Sequence, residues 1–435
     1  MVPKKNVLIK ILVEMSRAIL GITFIFSGFA KSVDPYGTAY KIEDYLSAFS
    51  LDSLLFLSFP ASFFLCGFEF LLGACMLFGL YRKWNSRLVL LVMCFMTPLT
   101  LYLAIADPVQ DCGCFGEAWI ITNWQTFYKN IVLLVMAVFA FVHHERISNI
   151  FTGKTYWLAF LYIIVFVGGF IARNYYYDPL FNFRPYKVGA NISQLMTVDD
   201  EKKGIEEMVL IYEKDGVEKE FTEDNYPWED STWNFVRREI NVVKRGEEPA
   251  IKDFSLNRIF IDKDGMDILD TEDITWELLA DTGYVFLMTS SSLDNMPENH
   301  LGDFEDVANY AEDNGYSFYC LTASATEDVL AWEKRQVTNF NYCLMDERVL
   351  KTIIRFNPGL MLLKNGTIIN KWTATNMPNA EGLNKPLNRL EYSKIVDEKE
   401  KDKKNLAYIS LTFLLPLLGL KVFDLVFFRK KDAED

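Results

Sequence analysis

The chain has 435 residues, 51% of them apolar and 35 of them Phe, with a charged fraction of 23%; this is the composition of a mosaic of membrane and soluble parts, with room for two or three domains. Its net charge is −14, and about sixteen net negatives fall within residues 173–404 while the remainder is slightly positive. An acidic soluble part excludes nucleic acid, which needs basic patches, and His143, His144 and His300 are too few for a His-rich metal site.

Six stretches are long and apolar enough to cross a hydrocarbon core of about 30 Å as helices: residues 11–30, 60–80, 88–105, 127–142, 157–171 and 407–428. The first is too long for a signal peptide and lacks a small-x-small cleavage site. Basic residues orient the set. Lys4, Lys5 and Lys10, then Arg82, Lys83 and Arg87, then Arg146 and Lys154, then Arg429, Lys430 and Lys431 all fall on one side if every span is real. That side is expected to be the cytoplasm. Both termini are then cytoplasmic in a bacterial inner membrane, and residues 173–404 are periplasmic, where disulfides form and persist.

In the first span Glu14 and Arg17 are three apart and pair along one helix face, and Gly21, Ser27 and Gly28 suit close helix packing. The second holds Gly67 and Gly73, similarly small, and Glu69 in "CGFEFLLG", mid-span with no local basic partner. An ionisable residue there is a candidate for proton handling, against the plainer role of a protonated hydrogen-bonding group. Cys66, Cys75 and Cys94 lie in apolar helices, where cysteine serves as a small packing residue.

Between the third and fourth spans stands "DCGCFG", residues 111–116. Two cysteines one residue apart form only a small, strained ring, which is comparatively easy to reduce. Lys129, near the outer end of the fourth helix, and the dipole of that helix start favour thiolate over thiol, while Asp111 and Glu117 oppose it. A redox-active pair, a static disulfide and metal ligation are the three readings. Zinc wants four ligands and finds no His nearby, so no metal is expected.

Residues 173–247 read as a small α+β module with a hairpin around Asp215-Gly216. From about 248 the pattern becomes a hairpin around Asp264-Gly265, a buried strand at "YVFLMT", a helix near 300–311, a strand at "YSFYCLT", a helix at "TEDVLAWEKRQ" and a closing hairpin around Asn365-Gly366. Cys320 lies mid-strand as buried packing; Cys343, near a strand start, is a candidate for access. The charge run at 397–404 reads as a solvated linker, and Lys421 with Asp424 repeats the three-apart pairing in the last span.

Strand, helix, strand, helix and antiparallel hairpin is an order that resembles the thioredoxin and peroxiredoxin fold, with Pro358 of "RFNPGLMLL" where that fold places its cis-proline. Its Cys-x-x-Cys is replaced by "MTSSSLDNMP", so the domain is expected to bind rather than exchange thiols. The first 145 residues resemble the DoxX-like membrane family, particularly its methylamine-utilisation E branch. The resemblance rests on "SRAILGITFIFSGFAKSVDPYGTAYKIEDYLSAF", on Glu69 and Gly73, on "DCGCFGE" and on "TFYKNIVLL". The whole layout, with "VLKTIIRFNPGLMLLKNGTIINKW", resembles a Bacteroidetes-type DoxX family of unassigned biochemistry. The E branch implies a redox-associated membrane protein that helps mature a disulfide-containing periplasmic partner.

The expected fold is therefore mixed. A four-helix membrane bundle (1–145) is followed by a fifth span (146–172), the small module (173–247) and a thioredoxin-like α/β domain (248–396). A linker, sixth span and basic tail (397–435) close the chain. The expected function is thiol–disulfide exchange or maturation of a periplasmic client through Cys112 and Cys114, with Lys129 favouring the thiolate and Glu69 relaying a proton. The competing reading is a non-catalytic scaffold that docks a cell-envelope partner. No cofactor motif is evident; a quinone is an acceptor candidate that no motif encodes.

Overall fold

The computed structural model describes residues 4–109, 111–177, 179–199, 205–214, 216–222, 227, 230, 232–244, 249–262 and 267–429. The turns expected at Asp215-Gly216 and Asp264-Gly265, and the tail residues Lys430 and Lys431, fall wholly or partly outside them. The chain forms two compact units, one of residues 1–184, 354–356 and 396–435, the other of 185–353 and 357–395.

The first unit opens with α1 (Lys4–Val33), α2 (Pro35–Ala48), a 3-10 turn (Asp52–Leu57), α3 (Ser58–Phe78), α4 (Arg82–Ala106), α5 (Asn123–Val142) and α6 (Tyr156–Tyr176). α2 starts where Asp34 accepts the Gly37 N–H at 3.1 Å and Pro35 takes a first-turn position, a combination that suits a helix N-terminus. The tightest crossing is α1 on α3. A Cβ on Gly28 would stand 2.3 Å from the Phe70 nitrogen, and one on Gly73 would stand 2.4 Å from the Ile25 nitrogen. Only glycine allows the two backbones to approach so closely. Around that crossing Leu20, Phe24, Leu72, Met76, Met93 and Leu133 make a core shared by α1, α3, α4 and α5.

The second unit contains two sheets. After the short α7 (Ile192–Leu195), strands β1 (Ile205–Lys214), β2 (Val217–Thr222) and β3 (Asn234–Lys244) form an antiparallel sheet in the order β2-β1-β3. The larger sheet uses β4 (Asn257–Ile261), β5 (Ile268–Asp273), β6 (Tyr284–Ser290), β7 (Ser317–Thr322), β8 (Tyr342–Leu344), β9 (Gly359–Lys364) and β10 (Thr367–Thr373) in the order β10-β9-β6-β7-β8-β4-β5. β6, β7 and β8 run parallel, β9 pairs antiparallel with β6, and β10 pairs antiparallel with β9 at the sheet edge. α8 (Thr275–Ala280) precedes β6; α9 (Leu301–Asp313), α10 (Thr326–Gln336) and α11 (Glu347–Ile353) are the crossovers and the approach to β9. Val285–Ser290 of β6 is entirely buried, as expected of a central strand covered on both faces. The Asn357–Pro358 peptide is cis.

The chain then re-enters the first unit as α12 (Glu398–Asp424). Its first two turns are the charge run expected as a solvated linker. Asp397 accepts the Lys399 and Glu400 N–H groups, and Glu400 pairs with Lys404 at 2.7 Å. A cap and an i,i+4 pair make these charges helix-forming.

Among the described residues, five helical stretches are long and apolar enough to cross a membrane: Asp52–Phe78, Arg82–Ala106, Asn123–Val142, Tyr156–Tyr176 and Glu398–Phe427. The expected first span, residues 11–30, lies within α1, a single helix of 30 residues. Two expected ion pairs form along their helices: Glu14 with Arg17 at 2.8 Å and Lys421 with Asp424 at 3.6 Å. Both also hold the α5–α6 connection. Glu14 accepts the Ser148 N–H, and Asp424 accepts the Thr152 N–H and the Thr155 hydroxyl.

Candidate functional site

The loop between α4 and α5 is fixed at its base by Asn123, whose amide donates to Asp107 and to the Val109 carbonyl at 3.0 and 2.9 Å. Thr122 and Gln125 close the start of α5 with a reciprocal capping box. At the loop's tip Gly113 takes φ +63°, a left-handed conformation that strains a side-chain-bearing residue. The turn brings the Cys112 and Cys114 sulfurs to 3.2 Å. Asp111 is tied to this turn. One of its oxygens accepts the Gly113 N–H at 2.7 Å and the other the Lys41 ammonium at 2.8 Å. Tyr45 donates to the Cys112 carbonyl at 3.0 Å.

Both thiols are buried, at 7% and 9% exposure, among Leu103, Met96, Leu99 and Val109. Their environments differ in sign. The Cys112 thiol, donating to Cys114 Sγ, together with the Lys129 and Lys31 cations, holds the Cys114 thiol below its ordinary value against the opposing effect of burial. Cys112 is pushed up by the same hydrogen bond and by burial. The acidic residues expected to oppose a thiolate are muted: Asp111 is offset by Lys41, and burial followed by the nearby Asp34 carboxylate pushes Glu117 up towards its neutral form.

Lys129 does reach the loop, with its ammonium 4.2 Å from the centre of the Phe115 ring. Glu69 does not stand alone. The close α1–α3 crossing sets Lys31 Nζ at 2.7 and 2.8 Å from its two carboxylate oxygens. Ser27 Oγ lies 2.7 Å from Glu69 Oε2, receives Lys31 Nζ at 3.2 Å and is also hydrogen-bonded to the Cys114 carbonyl. A cavity of about 40 Å³ is lined by Ser27, Lys31, Glu69, Cys114, Phe115 and Lys129, with apolar side chains from α1, α4 and α5 around them.

Residues 9–143 match the family model of methylamine utilisation protein MauE. The MauE match takes in every residue of this site, and with the five membrane-capable helices it makes the chain a multi-pass membrane protein. Residues 206–245 match the model of a domain of unknown function. No curated protein and no solved structure matches the chain.

Of the residues expected at the site, Cys112, Cys114, Lys129 and Glu69 come together; Lys31 and the polar role of Ser27 were not expected. Their signal was available: Ser27 and Lys31 are one helical turn apart in an apolar helix, and a buried cation there needs an anion. The other cysteines stay apart. Cys343, a candidate for access in the sequence, is fully buried between β7 and β4, and burial pushes its thiol up to about 12. Cys320 is buried in β7, Cys66 and Cys75 are buried in α3, and Cys94 is exposed on α4. Among the described residues no group of three or more His, Cys, Asp or Glu is arranged to hold a metal ion.

Proposed function

We propose that this membrane protein carries out thiol–disulfide exchange, with Cys114 as the attacking sulfur and Cys112 as the resolving one. The observation that carries the reading is the pair itself: two sulfurs 3.2 Å apart, one favoured as thiolate and the other poised as its hydrogen-bond donor. In the exchange the Cys114 thiolate forms a bond to one sulfur of a client disulfide, and the client's other sulfur leaves as a thiolate that takes a proton. Cys112, losing its proton, then bonds to Cys114 and expels the first client sulfur. Run in reverse, the same two steps oxidise a client dithiol. Lys129 serves as the cation beside the thiolate.

The client is a periplasmic protein or envelope complex, and the protein lies in a bacterial inner membrane with both termini in the cytoplasm and the Cys112–Cys114 loop on the periplasmic side. The sheet of β6, β7, β9 and β10, with its cis Pro358, is a DoxX-linked domain of thioredoxin type that recruits the client without thiols of its own. Ser290 at the end of β6 donates to Asn357 at 2.8 Å, and Asn357 donates to the Ser292 carbonyl at 3.0 Å, a polar net where a dithiol would otherwise stand. Burial of both sulfurs favours a second reading, a scaffold whose cysteine pair never turns over.

Trapping with a maleimide-linked polymer in intact cells separates the two. A pair that moves between protected and reactive states with mild reductant supports exchange, and one that never changes supports the scaffold. Replacing both cysteines with Ser should abolish client maturation; an unchanged client thiol state would overturn the exchange reading.

A further inference from the structure

The Ser27 hydroxyl has one proton and two acceptors. Glu69 Oε2 and the Cys114 carbonyl both lie within hydrogen-bonding reach of its oxygen, while Lys31 donates to that oxygen from the third side. With Glu69 ionised, the charged acceptor draws the Ser27 proton more strongly, and the Cys114 carbonyl loses its donor. With Glu69 protonated, its O–H donates to Ser27, and the Ser27 proton passes to Cys114. The Glu69 hydroxyl, the Ser27 hydroxyl and the Cys114 carbonyl then each have a partner, as burial favours, and the Lys31 ammonium keeps Ser27 Oγ and Glu69 Oε1 as acceptors.

We infer that Ser27 and Glu69 form a proton-dependent latch on the cysteine loop: proton uptake by Glu69 pins Cys114 through its carbonyl, and proton release frees it to meet a reagent. The latch rests on the exchange reading for its purpose, because it times the exposure of the attacking sulfur. Ser27 acts as a positioning residue, holding the loop rather than the reacting atoms. The groups that bear on Glu69 are few. Lys31 comes from α1, Lys129 from α5 and Cys114 from the loop, with Cys66 one turn away on α3 itself; α4 offers Met93 and Met96 and no ionisable group to the cavity. Lys31 is committed to Glu69 in a bidentate pair, so the shared proton sits within the Glu69–Ser27–Cys114 line.

The test is the iodoacetamide alkylation rate of Cys114 in the reduced, detergent-solubilised full chain, followed across pH by mass spectrometry of its peptide. The wild type should show a second inflection beyond the thiol's own titration, with the freed loop reacting about fivefold faster, the equilibrium worth of one hydrogen bond. Glu69→Gln, whose amide donates to Ser27 at every pH, should stay at the slow limit. Ser27→Ala, with no donor for the carbonyl, should stay at the fast limit, and Ser27→Thr should restore the second inflection. Displacement of Glu69→Gln and Ser27→Ala in the same direction, or curves parallel to the wild type, would overturn the latch.

If Glu69→Gln does not assemble, the infrared band of a protonated carboxyl replaces it. A band that vanishes at the second inflection of the wild type supports the latch, and its absence at every pH overturns it. Alkylation reads the thiol whether or not a client is exchanged. A failed client trap with opposed variant profiles therefore removes the exchange reading alone, and identical profiles remove the latch alone.

Discussion

The Lys31–Glu69 pair holds the site to the helices, and removing one partner gives the sharpest energetic prediction. Both side chains are nearly sealed, at 7% and 11% exposure, with contacts of 2.7 and 2.8 Å. At an effective dielectric near 20 the gross attraction at that separation is about 6 kcal/mol, most of which offsets the removal of both charges from water. Lys31→Met leaves the Glu69 charge without its cation, at an expected loss of about 3–5 kcal/mol. For a unit of this size that corresponds to a fall in Tm of roughly 10 °C, from the usual few degrees per kcal/mol. The double variant Lys31→Met/Glu69→Gln removes both charges and should recover most of the loss, because replacing a buried pair is often neutral. Intrinsic tryptophan fluorescence during heating in detergent reads all four proteins of the cycle. Strictly additive losses, or a Lys31→Met protein as stable as wild type, would refute the argument that the two charges depend on one another.

Further expectations concern separate parts of the chain. Because the Cys114 thiol is held low and Cys112 high, alkylation near neutral pH should fall on Cys114 and decline as pH drops through its lowered pKa. Lys129→Gln should move that decline to higher pH by up to about one unit, as peptide mass spectrometry would show. Gly73→Ala puts a methyl 2.4 Å from the Ile25 nitrogen and should lose about 1–3 kcal/mol through forced separation of α1 and α3, measured by the same melting assay. Cys343, buried and held near 12, should resist aqueous maleimide in the folded protein and react fully after denaturation. Asp397→Ala removes the cap of α12 and should lose about 1 kcal/mol, seen as faster amide exchange in its first turn.

Much of the second unit was legible because its strands are short apolar runs between turn dipeptides. "YVFLMT" and "YSFYCLT" emerge as β6 and β7, and the Asn365-Gly366 pair marks the turn between β9 and β10. β8, three residues long, and α11 carry too few residues for a periodic pattern. The first unit was less legible where charge and helix coincide. The run at 397–404 reads as solvent-loving whether or not it is helical, and only the Asp397 cap and the i,i+4 pairing reveal α12. α2 was missed although Asp34 and Pro35 announce it, because its polarity hides a helix among apolar neighbours. At the site, Cys112, Cys114, Lys129 and Glu69 stand out as residue types that need a reason. Ser27 and Lys31, one turn apart on α1, carry a local signal, but their partner Glu69 is identified only when Gly28 and Gly73 bring α1 against α3, a long-range contact that no local window contains.

The most direct test of thiol exchange is capture of a mixed disulfide in cells expressing Cys112→Ser, which keeps the attacking sulfur and removes the one that resolves it. A client should accumulate on Cys114, released by reductant, and the Cys114→Ser protein should capture far less. Equal capture by the two variants, or none by either while client thiols mature normally, would contradict the assignment of Cys114 as the exchanging sulfur.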